Sequence, residues 1–446
     1  MVLAVMKRMR AVALALLLAA GCAHGAPTQR AAPSAASPIP TDQPAQTLWA
    51  GAARVEMTPP VGTPLAGYSR RHGRPSVGVH DPLYARALAL SDGRRVVILV
   101  SCELLIIDEA LYRAALRRVQ QRYRVDRADL LLWSTHTHSG PGGYGHRFLE
   151  QRSMGHYDAR VFELLSRRIA EAAVRAVERL APSSVRGGEA IVEGASRNRL
   201  KEDGPTDPLV RVLRVDGLGG TPIALLATFA AHPTVLGAEN QRVSGDYPGA
   251  LMAAIEEQHA GSVCLFAVGA IADQAPVRGP GDRFLEARQL GERLARAALS
   301  ASEQEPAVTS VGLGATIDDL VLPPAQLRLE RGRLPSWLSE RFVDRYARLH
   351  LVAVGDWLLI GAPCDLSLDV GRRISDAARA RGWRPLVIGF ADDYIGYVLP
   401  AADYAGDSYE AHMSFNGPTV DGVLTRALTA MMDRVRLPPG HATSTP

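Results

Sequence analysis

Residues 133–143 read WSTHTHSGPGG and follow the apolar run Leu130-Leu131-Leu132. A short apolar run that ends in polar residues and a glycine turn is typical of a buried strand that reaches the edge of its sheet. On a strand, His136 and His138 point to the same face, because side chains alternate with a period of two. Imidazole is a common zinc ligand, so the pair predicts a metal or catalytic site. The alternative is two loop histidines that bond to backbone and water.

Two frequent kinds of His-x-His metal site do not fit the surrounding sequence. A metallo-β-lactamase-like site continues His-x-His-x-Asp-His, whereas Ser139-Gly140-Pro141 follows His138 here. An amidohydrolase barrel places the pair on its first strand, whereas strand and hairpin patterns precede this one. Both kinds of site are excluded.

The composition is that of a globular protein with a large core. Of 446 residues, 47% are hydrophobic and 22% are charged, which suits one large domain or two moderate ones. The formal net charge is only +4, and Lys and Arg are interspersed with Asp and Glu. We therefore expect no nucleic-acid partner. The sequence does not indicate an oligomeric state.

Short apolar runs alternate with longer amphipathic ones, which predicts an α/β fold: a mixed β-sheet core covered by helices, in a single catalytic domain over residues 49–436. Asp92-Gly93 and Gly355-Asp356 predict hairpin turns between flanking apolar runs. Helical spacing occurs at 110–122, 159–180, 284–301, 338–349 and 366–380. Strands are predicted at 83–91, 95–102, 210–215, 222–231, 263–268, 308–317, 350–354, 357–361 and 385–390.

The N-terminus has the pattern of a signal peptide over residues 1–22. A basic segment with Lys7, Arg8 and Arg10 precedes an apolar run, and small residues lead to Cys22 as in a bacterial lipoprotein. Cleavage after a residue such as Gly25 is the alternative. Residues 23–48 read as a flexible tether and residues 437–446 as a loose tail. We expect an exported cell-envelope protein, lipid-anchored through Cys22 and periplasmic or on the outer surface.

Three cysteines remain beyond Cys22, and each lies in an apolar stretch: Cys102, Cys264 and Cys364. An odd number cannot all pair. The prediction is buried free thiols rather than a disulfide framework.

A second candidate histidine, His232, ends the apolar run of TFAAHPTVLG at another strand end. A lone histidine of this kind is either structural or a ligand. Asp246 and Asp273 lie in further loops at strand ends. They are either hydrogen-bond acceptors for ligating histidines or solvated acids.

With THTHSGPGG, FAAHPT and SGD in this order, and with VHDPLYARALAL and MTPPVGTPLAGY before them, the chain resembles the neutral/alkaline (non-lysosomal) ceramidases. The likeness extends over most of residues 51–418. It implies an α/β amidase that cleaves the N-acyl bond of ceramide at a single Zn²⁺. Longer members add an immunoglobulin-like domain; we expect a divergent bacterial member without it.

The resemblance also implies roles for individual side chains. His136 and His232 would bind Zn²⁺, and His138 would be the neighbouring acid/base group. Asn198-Arg199 matches an Asn-Arg pair, which implies that Arg199 binds and polarises the scissile group. Where the family has a nucleophile-like serine in DxSPN, this chain reads DQAPV at 273–277, so a serine mechanism there is excluded.

The remaining implied ligands include one departure from the family pattern. Tyr397 matches the tyrosine ligand, and Tyr409 matches a tyrosine beside the carbonyl oxygen. The family glutamate of a PGE loop is replaced by Asp365, which is shorter by one methylene and must be brought closer by its backbone or bind through water. Cys364 is an alternative ligand, but its side chain should point away from that of Asp365.

These roles imply hydrolysis by zinc-activated water, with Arg199 and Tyr409 stabilising charge on the oxygen and His138 protonating the leaving amine. The implied partner is an amphiphilic N-acyl lipid, which a membrane anchor would keep nearby. One alternative is a zinc hydrolase of the same architecture with another amide or ester substrate. Another is a lipid-anchored envelope binding protein without catalysis.

Overall fold

A computed structural model describes residues 47–329 and 332–435, all in one compact unit. The predicted signal peptide with Cys22, the predicted tail, and all of the predicted tether except Thr47 and Leu48 lie outside the described residues. In the described part of the chain, no helix combines the length and the apolar character needed to cross a bilayer.

The strands, in chain order, are β1 Trp49–Glu56, β2 Gly78–Val79, β3 Tyr84–Ser91, β4 Val96–Cys102, β5 Leu130–Ser134, β6 Ala181–Ile191, β7 Ser196–Asn198, β8 Leu209–Gly217, β9 Pro222–Phe229, β10 Arg242–Val243, β11 Val263–Val268, β12 Gln274–Pro276, β13 Leu313–Val321, β14 Arg328–Leu329, β15 Gly332–Arg333, β16 Tyr346–Val354, β17 Trp357–Gly361, β18 Asp365–Leu366, β19 Arg384–Ile388 and β20 Tyr397–Val398. The helices are α1 Glu109–Gln120, α2 Phe148–Met154, α3 Ala159–Val177, α4 Asp246–Gln258, α5 Arg283–Ala301, α6 Ser336–Ser339, α7 Leu368–Arg379, α8 Ala401–Tyr404, α9 Tyr409–His412 and α10 Val420–Met432.

Two mixed sheets form the core. The larger has the strand order β11-β9-β8-β6-β1-β3-β4-β5, and the smaller has the order β13-β16-β17-β19. Each combines antiparallel pairs with parallel ones: β4 with β5, β11 with β9, and β17 with β19. The predicted α/β class, with a mixed sheet covered by helices, is confirmed.

Alternating side chains divide the core into layers. Ile98 packs under the helices α1, α3, α4 and α5, whereas its neighbour Leu99 faces the second sheet and shares an apolar cluster with Leu359. Leu358, one position before Leu359, faces α7 and α10 instead. Both faces of each sheet are therefore covered, which explains why these strands read as continuous apolar runs.

Side-chain hydrogen bonds bring distant strands of the larger sheet together. The carbonyl oxygen of Phe266 in β11 accepts bonds from Ser101 Oγ in β4 at 2.7 Å and from Trp133 Nε1 in β5 at 2.8 Å. The chain that leaves β5 therefore runs close to the chain that leaves β9, the neighbour of β11. This proximity positions the candidate site.

Most predicted elements agree with the structure within a few residues. Both hairpins are confirmed: β3 pairs with β4, and β16 pairs with β17 across a two-residue turn in which Gly355 has φ 59°. The predicted free cysteines are confirmed as buried. The strand predicted at 308–317 is displaced to Leu313–Val321, and α4 and α10 were not predicted.

The helix predicted at 338–349 is wrong. Only the short helix α6 forms there, and β16 begins at Tyr346. Ala347, Leu349 and Leu351 alternate toward the cluster beneath α10, while the backbone pairs with β13 and β17. Apolar positions with the period of a strand thus prevailed over a local helical pattern.

We predict that Trp133→Ala lowers the free energy of unfolding by about 3–5 kcal/mol, because the substitution opens a cavity between the sheets and removes the bond to Phe266. Trp337→Ala is the matched control, since that side chain is 66% exposed. Urea denaturation of both variants measures the difference. A similar loss in the two variants would contradict the assigned core.

Candidate metal and active site

His136 occupies a turn rather than a strand. β5 ends at Ser134, and His136 has φ 61°, in the left-handed region that few non-glycine residues adopt. The predicted shared strand face of His136 and His138 is therefore wrong. The turn nevertheless brings His136 Nε2 to 3.2 Å from His138 Nε2. Phe390, which the sequence did not indicate, stacks on the His136 ring at a centroid distance of 3.8 Å.

Backbone carbonyls fix the orientation of two imidazoles. His136 Nδ1 lies 2.7 Å from the carbonyl oxygen of Leu105, and His232 Nδ1 lies 2.8 Å from that of Ile271. A carbonyl oxygen only accepts, so each Nδ1 carries the proton and each Nε2 presents a lone pair. Burial lowers the pKa of His136 to about 3 and the pKa of His232 well below its ordinary value, so both rings are neutral at pH 7.

The loop acids do not orient these histidines. Asp246 accepts from the backbone N–H groups of Leu236 and Tyr247, and Asp273 accepts from Leu368 N and Asn198 Nδ2. Of the two interpretations that the sequence left open, acceptors for the imidazoles do not fit either acid, and a solvated acid does not fit Asp246, which is buried. The carbonyl oxygens that follow β11 and β4 are closer to the rings and take that role.

Asp365 reaches the histidines through strand pairing. β18 pairs in parallel with β20, which places Asp365 beside Tyr397. Asp365 Oδ2 lies 3.1 Å from His232 Nε2, and Tyr397 OH lies 3.4 Å from the same nitrogen. All three side chains are buried. The pairing of β18 with β20 thus brings the carboxylate of Asp365 into contact with His232.

The contact between Asp365 and His232 identifies the kind of ligand that the site fits. Two acceptors 3.1 Å apart repel each other unless a cation or a proton lies between them. Within the described part of the chain, neither Asp365 oxygen has a hydrogen-bond partner of regular geometry. Tetrahedral Zn²⁺ ligands at 2.0–2.1 Å lie about 3.3 Å apart. Two imidazoles, a carboxylate and a phenol are a donor set that fits zinc.

Cys364 does not belong to this donor set. Its side chain packs in the apolar cluster between the smaller sheet and the helices α7 and α10. Burial raises the pKa of the thiol well above its ordinary value, so it stays protonated. The alternative of a thiolate ligand is therefore not supported.

His138 is held beside the other two histidines by groups from another loop. The nitrogen ligand atoms of His136, His138 and His232 all lie within 4.8 Å of one another. A side chain at Gly67 would place its Cβ 2.5 Å from His138 Nδ1, so this position requires glycine. Arg71, which the sequence did not indicate, is buried and donates to the carbonyl oxygens of His138 and Ala66. Gly67 and Arg71 both lie in the segment AGYSRR, residues 66–71, which was the sequence pattern that could have indicated them.

Arg199 and Tyr409 complete the site. Arg199 Nε lies 3.0 Å from Glu410 Oε1, and its Nη2 donates to Tyr397 OH at 3.2 Å. Arg199 Nη2 is also 3.4 Å from His232 Nε2. The Tyr409 ring lies 6.0 Å from the Tyr397 ring, and 59% of the residue is exposed. The structure thus brings together the side chains to which the resemblance assigns a role, His136, His138, Arg199, His232, Asp365, Tyr397 and Tyr409.

An apolar cleft opens onto this group. Its walls carry one charged cluster, in which Arg147 bonds to Asp344 at 2.5 Å. The cleft reaches His136, His138, Tyr397 and Tyr409. Its apolar lining consists of Leu105, Ile106, Leu149, Phe342, Val343, Ile395, Met413 and Phe415.

A buried pair supports the segment that carries Phe390. His350 Nδ1 lies 2.6 Å from Asp392 Oδ2, and His350 Nε2 lies 2.9 Å from the carbonyl oxygen of Ala128. The other Asp392 oxygen accepts from Leu132 N at 2.8 Å. This pair connects β16, β5 and the chain beneath His136.

The chain is similar to proteins of one family in sequence and in structure. Residues 49–275 match the family model described as neutral/alkaline non-lysosomal ceramidase, N-terminal. The neutral ceramidase of Pseudomonas aeruginosa is 26% identical over 84% of this chain and 70% of that protein. The neutral ceramidase of Drosophila melanogaster is 21% identical over 86% of this chain and 75% of that protein.

A solved structure shares the fold. The crystal structure of the Pseudomonas aeruginosa neutral ceramidase aligns with a TM-score of 0.78 and 22% sequence identity, covering 90% of this chain and 77% of that one. The family match ends before Asp365, Tyr397 and Tyr409. Contacts within the fold place these three residues at the site.

We predict that Asp392→Asn lowers the free energy of unfolding by about 3–5 kcal/mol, because the substitution removes a buried carboxylate that bonds to both His350 and Leu132 N. Asp318→Asn is the control, since Asp318 pairs with Arg434 at the surface and should cost less than about 1 kcal/mol. Urea denaturation checks both. Equal effects would contradict the supporting role of the buried pair.

A second prediction concerns pH. Burial raises the pKa of Asp365 to about 6, above its value of about 3.9 in an unfolded chain. The associated stability is therefore complete below about pH 4 and is lost as the pH rises through about 6. Between pH 4 and 7 in chelator, the wild type should lose roughly 3 kcal/mol of unfolding free energy more than Asp365→Asn, which does not titrate there. If the unfolding free energies of the wild type and Asp365→Asn changed in parallel with pH, the raised pKa of Asp365 would be contradicted.

Proposed function

Because the chain belongs to the neutral/alkaline non-lysosomal ceramidase family, we propose that it is a zinc-dependent hydrolase that cleaves the N-acyl amide bond of ceramide or of a related N-acyl lipid. The observation that carries the proposal is the meeting of His136, His232, Asp365 and Tyr397 beneath an apolar cleft that is lined by His136 and Tyr397. The cleft suits the alkyl part of such a lipid, and the polar group suits its amide.

The chain supplies the ligands in a form that needs little rearrangement. His136 and His232 are neutral and already held by Leu105 and Ile271, so their Nε2 lone pairs are available. Asp365 and Tyr397 would contribute the oxygen ligands. When bound, Zn²⁺ supplies Lewis acidity and a water whose pKa falls to about 7.

Arg199 and Tyr409 would act on the carbonyl oxygen of the amide. Glu410 and the carbonyl oxygen of Ala272 hold Arg199 Nε, at 3.0 and 2.8 Å, while Nη2 points to Tyr397. The guanidinium is thus oriented before the substrate binds. Preorganised donors of this kind stabilise the negative charge that develops on oxygen during amide cleavage.

His138 would move the protons. Burial lowers the pKa of this imidazole well below its ordinary value, so it is neutral and can accept a proton from the attacking water. The protonated ring then returns a proton to the departing nitrogen, since an unprotonated amine anion leaves poorly. Its position next to His136 suits this transfer.

The direct test measures zinc content and fatty-acid release from a fluorescent ceramide, with and without chelator. The proposal expects one zinc per chain and release that chelator abolishes and zinc restores. Release that persists in chelator would overturn the role of the metal. Release from other acyl amides or esters, but not from ceramide, would overturn the substrate. Zinc without any hydrolysis would favour a binding protein.

Two variants separate ligation from proton transfer. His138→Ala should retain zinc and lose about 10²–10⁴-fold in kcat, because it removes general acid–base catalysis. His136→Ala should lose both zinc and turnover. His156→Ala, at an exposed position, is the control. Metal analysis and steady-state kinetics check the three; equal loss of zinc from the first two would instead make His138 a ligand.

A further inference from the structure

We propose that one rim of the cleft docks on an anionic lipid bilayer; this inference rests on the proposed function. The rim comprises the aromatic side chains of Phe148 and Trp337 and the cationic side chains of Arg341 and Arg345. All four are exposed. Docking there would let a bilayer lipid enter the cleft without crossing water.

The aromatic side chains are exposed to an unusual degree. Trp337 is 66% exposed and Phe148 is 63% exposed, although both are large apolar residues. Phe148 begins α2, and Trp337 lies in α6. Large apolar residues exposed beside an apolar cleft mark interaction sites, and tryptophan favours the boundary between headgroups and acyl chains.

The rim is continuous with the cleft. The Phe148 ring lies 6.0 Å from that of Phe342, which lines the cleft. Leu149, the residue after Phe148, lines it as well and packs with Leu334 and Phe342. The path from Phe148 to the cleft is therefore apolar, as the alkyl chains of a lipid require, and Trp337 lies five residues before Phe342 in the chain.

The rim is held in place by contacts below it. Arg147, directly before Phe148, bonds to Asp344 at 2.5 Å and thereby connects the start of α2 to the segment that follows α6. Ser339 Oγ accepts from Leu327 N at 3.2 Å. The two aromatic side chains thus stand on elements that are fixed to each other.

The charges favour an anionic surface. Arg341 and Arg345 lie in the same segment as Trp337 and are exposed, whereas the two carboxylates of that segment are withdrawn: Asp344 is paired with Arg147, and Glu340 is half-buried. Arginines beside interfacial aromatics are attracted to anionic headgroups. This combination favours a bilayer over an apolar protein partner.

The experiment uses the chain from residue 23 onward, which lacks both the predicted signal peptide and the predicted acylation site. Binding is measured by flotation with phosphatidylcholine vesicles that contain phosphatidylglycerol, and hydrolysis is measured with ceramide in the same vesicles. Trp337→Ser combined with Phe148→Ser should reduce both at least tenfold. The same variant should hydrolyse a water-soluble short-chain N-acyl substrate at the unchanged rate.

Matched controls test whether position matters rather than exposure. Ile191→Ser combined with Leu218→Ser removes side chains that are 66% and 58% exposed but lie outside the cleft, and should change neither readout. Arg341→Gln with Arg345→Gln should weaken binding to anionic vesicles only. Arg117→Gln with Arg167→Gln, at exposed positions of α1 and α3, should have no effect.

The outcomes are distinguishable from those of the proposed function. Vesicle binding that is equal in the wild type and the aromatic double variant would overturn the docking surface, whatever the enzyme hydrolyses. Absence of vesicle binding by the wild type would overturn it as well. Rim-dependent binding without hydrolysis of any N-acyl lipid would support docking and reject the proposed function.

Discussion

The contact between His232 Nε2 and Asp365 Oδ2, 3.1 Å apart in a fully buried setting, is the constraint on which the rest of the site depends. The backbone around Ile271 holds the His232 proton on the opposite nitrogen, so two acceptors face each other. Strand pairing between β18 and β20 keeps the carboxylate in place. Such an arrangement is unfavourable by itself and becomes favourable when a cation satisfies both atoms.

The two sheets explain how side chains so far apart in sequence meet. His136 and His232 follow strands of the larger sheet, whereas Asp365 and Tyr397 follow the smaller one. The apolar layer between the sheets, centred on residues such as Trp133, sets their separation. The site therefore lies at the joined ends of the two sheets, and its geometry depends on core packing as well as on local hydrogen bonds.

The sequence predicted much of this arrangement because several signals were local. A histidine pair at the end of an apolar run, the glycine-containing hairpin turns and the order of the motifs all depend on a few neighbouring residues. The left-handed conformation of His136, the stacking of Phe390 and the carbonyl partners of both imidazoles depend on tertiary contacts. The contact between Asp365 and His232 could not be predicted from the sequence either, since it depends on the pairing of Asp365 with Tyr397. The false helix at 338–349 has the same cause: alternating contacts with the core decided the structure of β16.

The central claim is that Zn²⁺ binds between His136, His232 and Asp365. Anomalous diffraction at the zinc edge, from crystals grown with zinc, tests it most directly. The account predicts one strong peak about 2.0–2.2 Å from His136 Nε2, His232 Nε2 and an Asp365 oxygen, with His138 Nε2 outside bonding distance. A peak bonded to His138 but not to Asp365, or no peak among these residues, would contradict it.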